Sequence, residues 1–557
     1  MKALKHVSLA VLVAALAGLL PLSAQQPEQQ SSVVRQALEK IIKQENDLVK
    51  NYGTYSPRVE TYLQEIHTDK DSSKRIVGDD YFLGRLEVKN GVIEKSFLPS
   101  PGITLKGVMS KVLLYGPFLR LFSFQFEPGS FAYPMFLDPQ NFDLAHYQFE
   151  FAGREFLGQV RCLVFNVRPR LHAGKGLFEG RIWVEDQDYH IVRFNGAYEK
   201  ANKFSFHFDS WRENLRPGLW VPVYVYSEED DLSSYGVPRL GFRSQTRLWG
   251  YELKATTPDQ ELTQILVDSN SDVKDTSTES HDNSPLQSVR DWRRQAEDNI
   301  LNRLQKGGLV APPGPVDKVL ETVVNNLIVT NHLDKLPAVQ CRVLLTYPLE
   351  SFTIGDTIVL SRGLIDVLPD EASLAMVLAH ELAHIALGDN VNTKYAFYDR
   401  MMISDKELLK KFDFAHTEDK EEAADKEAIT LLRNSPYNDK LGKAGLFLKA
   451  LAEVAPDTPN LFGAHMGNRL IDKHNQLRMA GLLQGAPKLE PNSIDQIAAL
   501  PLGARITVDA WNDSIRLVKS KPVDLVSAKD KMPFEVTPLI PYLTRYHDDA
   551  SQTQAQR

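Results

Sequence analysis

Residues 374–389 read LAMVLAHELAHIALGD, and His380-Glu381-Leu382-Ala383-His384 within them form an H-E-x-x-H string. On a helix, residues four apart lie on one face, so His380 and His384 can aim two imidazoles at one metal ion. Glu381, one residue on, can reach the water that such an ion would activate. Histidine is scarce, 14 in 557 residues, and composition alone would produce the string by chance in about two per cent of such chains. The plain alternative is a surface helix with two unrelated histidines. The flanks oppose it: Val377, Leu378, Ala379, Leu382, Ala383, Ile385, Ala386 and Leu387 make the helix apolar nearly all round, which predicts burial. Buried His and Glu need partners, and a metal is the simplest one.

A catalytic zinc site takes three protein ligands and leaves one position open. Residues 418–432, EDKEEAADKEAITLL, have a helical pattern in which Glu421 and Asp425 share a face. Glu421 is the candidate third ligand, and Asp425 a candidate to accept the N–H of a ligating histidine. Glu422 is the nearest competitor, and an ordinary solvated charged face is the alternative reading.

H-E-x-x-H followed by Glu421-Glu422-Ala423-Ala424-Asp425 resembles the gluzincin peptidases related to HtpX, BepA and the CaaX prenyl-protein endopeptidases. Ser351-Phe352-Thr353-Ile354-Gly355-Asp356 resembles that family's edge strand, and 357–364, ending in Arg362-Gly363-Leu364, its next strand and turn. The resemblance covers roughly residues 310–485. It implies one Zn²⁺ held by His380, His384 and Glu421, with Glu381 as general base. The chain departs from the family where Glu350-Ser351 stand in place of Asn-Ala. It also lacks the family's His-Pro pair, followed by Arg, that would serve the oxyanion. His465 and Arg469 are the candidates for that role, with His474 and Arg478 as a second pair.

Residues 1–24 carry Lys2 and Lys5, an apolar run over 7–20, and Pro21-Leu22-Ser23-Ala24. This reads as a secretory signal peptide cleaved after Ala24, with an uncleaved anchor as the alternative. No Cys follows, so it is not a lipoprotein signal. The expected location is therefore periplasmic or secreted, nearer the soluble BepA-like branch than its multi-spanning relatives. A net charge of −8 without a basic cluster argues against nucleic acid. Cys162 and Cys341, the only cysteines, are expected as two buried free thiols, with a bridge in an oxidising compartment as the alternative.

The chain is expected to be multidomain α+β. Residues 25–75 read as one or two amphipathic helices, including the stretch after Tyr55. Over 76–255, short alternating runs at 81–88, 160–167, 178–185, 190–194, 204–211, 219–226 and 239–251 predict an antiparallel β-domain. It is rich in aromatics, among them Phe122, Phe124, Phe126, Phe131, Tyr133 and Phe136. The string at 178–193 resembles LolA-like lipoprotein-binding domains, which would make this domain a curved half-barrel with a groove for acyl chains or protein segments. The alternative is aromatics that only fill the domain's own core. Residues 256–309 read as a linker and helix, 310–490 as a mostly helical zincin-type peptidase domain with a small edge sheet, 491–545 as a β-rich segment, and 546–557 as a disordered tail.

These readings converge on a secreted zinc metalloendopeptidase that hydrolyses cell-envelope proteins. The family resemblance implies quality control of unfolded or misassembled substrates and work beside lipid or outer-membrane assembly machinery. The rivals are a chaperone or assembly factor keeping a peptidase fold, a lipid or lipoprotein carrier, and a zinc hydrolase for other bonds.

Overall fold

The computed structural model describes residues 27–70, 74–87, 92–93, 128–174, 176–198, 207–229, 232, 239–251, 285–389, 391, 393, 396, 411–463, 465–471, 477–490, 506–508, 515–517 and 543–545. The expected signal peptide, the aromatics at 122–126, residues 256–284 of the expected linker and helix, and the tail lie outside these residues.

The N-terminal half is a helix laid on a large antiparallel sheet. Helix α1 is Pro27–Tyr52, followed by β1 (Arg58–Thr68), β2 (Lys74–Glu87), β3 (Val92–Ile93), β4 (Tyr147–Leu157), β5 (Val160–Pro169), β6 (Phe178–Glu185), β7 (Ile191–Tyr198), β8 (His207–Arg216), β9 (Leu219–Glu229) and β10 (Leu240–Trp249). The ten strands run in the order β3-β2-β1-β10-β9-β8-β7-β6-β5-β4. They form an up-and-down meander in which β10 closes back on β1. Phe131 and Phe136 lie in and just after a short 3₁₀ helix, Pro128–Met135, and are buried in the sheet's core.

One expectation fails here. The stretch after Tyr55 is not a helix but strand β1, paired with β2 and β10. Val59, Tyr62, Leu63 and Ile66 are spaced like the apolar face of a helix, which is what misleads the sequence reading. The strand is buried on both faces, so its polar residues are inside and paired. Thr61 bonds Thr246 at 2.9 Å, Arg58 donates to the Gly307 carbonyl, and Glu60 takes Arg247 at 2.5 and 3.0 Å.

The C-terminal half holds α2 (Pro285–Lys306), α3 (Pro315–Thr330), β11 (Gln340–Leu344), β12 (Glu350–Ile354), β13 (Thr357–Ser361), α4 (Arg362–Val367), α5 (Glu371–Leu387), α6 (Glu418–Arg433), α7 (Leu441–Val454) and β14 (Asn468–Arg469), then a two-stranded ribbon of β15 (Ile506–Val508) and β16 (Ile515–Leu517). It is a helical domain with one small sheet, ordered β11-β13-β12-β14. Gly363 lets α4 pass the Tyr347 backbone, since a Cβ there would sit 1.6 Å from the Tyr347 carbonyl oxygen. Among the described residues no helix is long and apolar enough to cross a membrane.

The two halves share one continuous core. Tyr62, Leu83, Trp211, Trp220 and Trp249 from the sheet join the same apolar cluster as α2, α3 and α5. The sheet's other face packs beneath α1 through Leu38 and Ile41. Tyr62 stacks near Tyr347 at 4.9 Å, and Trp249 Nε1 donates to the Gly308 carbonyl at 2.8 Å. Cys162 and Cys341 are buried and unbridged.

Candidate metal centre

Helix α5 starts at Asp370, whose carboxylate accepts the Ser373 N–H at 2.9 Å, and it stops at Gly388 with φ 73°. The left-handed residue suits glycine, and it closes a Schellman end in which the Gly388 N–H meets the Ile385 carbonyl and the Asp389 N–H the His384 carbonyl. From Ala372 to His384 the helix is buried on every side. Helix α6 crosses it through small residues, with Glu421, Ala424 and Ala428 buried against it.

This crossing brings His380, His384 and Glu421 together. His380 Nε2 lies 3.3 Å from His384 Nε2 and 3.2 Å from Glu421 Oε2, and His384 Nε2 lies 3.6 Å from Glu421 Oε1. Donors about 2.0–2.1 Å from one tetrahedral zinc ion are themselves separated by about 3.4 Å. The two Nε2 atoms and the Glu421 carboxylate, reached through a different oxygen by each histidine, therefore suit such an ion, and all three residues are buried.

Each histidine has its outer nitrogen against a carboxylate. His380 Nδ1 lies 3.0 Å from Asp425 Oδ1, and His384 Nδ1 lies 2.9 Å from Asp389 Oδ2, which also pairs with Lys420 at 3.2 Å. These contacts leave both Nε2 atoms directed at the shared centre. Glu422 faces solvent and pairs with Lys426.

The electrostatics follow from burial set against neighbours. Burial pulls His380 down, but its bonds to Asp425 and Glu421 outweigh this and raise it to about 10. Burial opposes ionisation of Glu421, yet the His380 bond and the neighbouring His384 and Arg478 charges hold its carboxyl below the ordinary range. Glu381 is pushed up by burial, partly offset by His380 and by Ser351, whose Oγ–H donates to Glu381 Oε1 at 2.7 Å.

The residues expected to serve the oxyanion, His465 and Arg469, both lie beside Glu350. The His465 ring stacks on Tyr81 of β2, with centroids 5.4 Å apart, and its backbone N–H donates to Glu350. Arg469 pairs with Glu350 through its backbone, and its side chain, like His474, lies outside the described part. Among the described side chains, the arginine that reaches the site is Arg478, the alternative choice: it grips Glu418 at 2.7 Å and reaches Glu421 at 3.4 Å. A small, mostly apolar pocket opens beside His380 between Ser351, Val377, Leu448, Leu470, Arg478 and Met479.

Sequence reasoning missed three residues here. Asp389 follows the helix-stopping glycine, a position from which a carboxylate can turn back to the last histidine. Ser351 was visible only as a departure from the family pattern. His416, just before α6, stacks on His384 at 4.1 Å; its place one residue ahead of the helix cap Thr417 was the only available signal.

Residues 317–443 match peptidase family M48. No curated relative matches the chain. Two solved structures are similar over 40% of this chain and 95% of theirs: a DUF1329 family protein from Desulfovibrio piger, at 11% identity and a TM-score of 0.19, and a LolA superfamily protein from Nitrosomonas europaea, at 10% and 0.18. At those scores neither carries an argument.

Proposed function

We propose that this chain, whose residues 317–443 carry an M48-type metallopeptidase domain, is a secreted zinc endopeptidase acting on unfolded or misassembled cell-envelope proteins. The observation that carries the reading is the set of three buried residues whose two Nε2 atoms and nearest Glu421 carboxylate oxygens lie 3.2–3.6 Å apart, with an oriented carboxylate at Glu381 beside them. His380, His384 and Glu421 would hold the ion. When bound, zinc polarises the scissile carbonyl and acidifies the attacking water.

The remaining work belongs to side chains and backbone. Glu381 takes the water's proton on Oε2 and delivers it to the leaving amine nitrogen as the C–N bond breaks. Asp389 and Asp425 keep both imidazoles turned inward. Strand β12 lies between β13 and β14, and β14 covers only Glu350 and Ser351. An extended substrate would add its strand beyond β14 at residues 352–354, which are buried, with the Phe414 ring stacked on Phe352, so that cover would have to yield.

Envelope location rests on the signal-like residues 1–24, and the quality-control role on the family resemblance. The test is hydrolysis of a labelled unfolded casein by wild type and Glu381→Gln. Loss of at least about 100-fold in rate, with zinc retained, supports the reading. A Glu381→Gln protein that cleaves at the wild-type rate contradicts it. Rescue by that variant in cells would instead favour an assembly factor.

A further inference from the structure

We propose that Ser351 is a positioning residue for the general base: its hydroxyl fixes the Glu381 carboxylate so that one oxygen, Oε2, faces the reacting water. This rests on the peptidase reading above.

Glu381 is fully buried, and its two oxygens are unlike. Oε1 accepts the Ser351 hydroxyl at 2.7 Å, whereas Oε2 has no partner among the described residues. A buried carboxylate oxygen without a partner is costly, so something must bond to it in the working protein. A hydrolytic water meets that need. A free carboxylate turns about its last side-chain bond with broad preference. One short bond to a fixed hydroxyl removes that freedom.

The hydroxyl is itself well anchored. Ser351 is 2% exposed and sits in β12, in register with Leu360 of β13 on one side and Asn468 of β14 on the other. The preceding residue secures the same end of the strand. Glu350 Oε2 accepts the backbone N–H groups of His465, Met466 and Gly467 at 2.9, 3.0 and 3.2 Å. The pair Glu350-Ser351, where the family resemblance leads one to expect Asn-Ala, thus has a use at both positions: one side chain ties the neighbouring loop to the strand, and the other ties the strand to the base. Alanine at 351 has no donor to offer.

The experiment compares wild type, Ser351→Ala and Ser351→Thr in kcat and KM on labelled casein, with zinc content. It adds a double-mutant cycle of Ser351→Ala and Glu381→Ala on the thermal midpoint of the zinc-free protein, which reads the contact without activity. The expected result is a kcat lowered about tenfold or more in Ser351→Ala at unchanged KM and zinc content, recovery in Ser351→Thr, and non-additive midpoints. A Ser351→Ala kcat within about twofold of wild type, or additive midpoints, overturns the proposal. A non-additive cycle in a wild type that cleaves nothing upholds the contact and overturns the peptidase reading.

Discussion

Asp389 Oδ2 lies 2.9 Å from His384 Nδ1, brought there by the residue that ends the helix. Gly388 turns the chain through φ 73°, and the next residue meets the ligand one turn back. Helix termination and ligand orientation are thus one local event. Asp389→Ala is expected to weaken zinc binding about 10–100-fold, as is Asp425→Ala at His380. Competition with a chelator measures it, and unchanged affinity in both would contradict the orienting role.

Gly388→Ala isolates the backbone part of that event. Among the described residues, apart from its chain neighbours, no atom lies within 4 Å of the new Cβ, so the cost expected is that of the left-handed conformation. A loss of about 1 kcal/mol in chemical denaturation is expected, with zinc affinity lowered as Asp389 shifts. Full stability and full affinity would show that the turn is not needed.

Glu60 of the large sheet sits at the junction of the two halves. It takes Arg247 on one oxygen, and on the other Tyr81 Oη at 2.9 Å and the Tyr347 backbone N–H at 2.6 Å. Arg247→Met would leave that carboxylate short of its counter-charge, costing about 3–5 kcal/mol. Because one core runs through both halves, wild type is expected to unfold in a single calorimetric transition. Two separate transitions, with the variant altering only the first, would contradict a shared core.

A pH effect is expected at Glu185. Burial opposes its ionisation, but the His190 ring, the backbone N–H groups of His190 and Gln187, and Arg545 outweigh this and lower it to about 2. A depressed acid stabilises the fold above its unfolded value of about 4.5 and loses that contribution as pH falls toward 2. The difference corresponds to about 3 kcal/mol. Glu185→Gln should flatten the stability profile between those limits, and an unchanged profile would contradict it.

The metal centre was readable because its chemistry is local: i,i+4 spacing on α5 and again on α6 places four of its residues. The partners set by tertiary contact were not readable. Ser351 reaches Glu381 across 30 residues, and Tyr81 reaches His465 between domains. Strand β1 was misread because burial on both faces erases alternation. Strand β4 gives no buried apolar alternation to read because its side chains are mostly exposed, Phe151 and Phe156 among them.

The most direct test is zinc per chain after metal-replete purification of wild type, His384→Ala, Glu421→Ala and Glu422→Ala. The account predicts about one zinc in wild type and Glu422→Ala, and little or none in the other two. Absence of zinc from wild type, or its loss in Glu422→Ala with retention in Glu421→Ala, would contradict it.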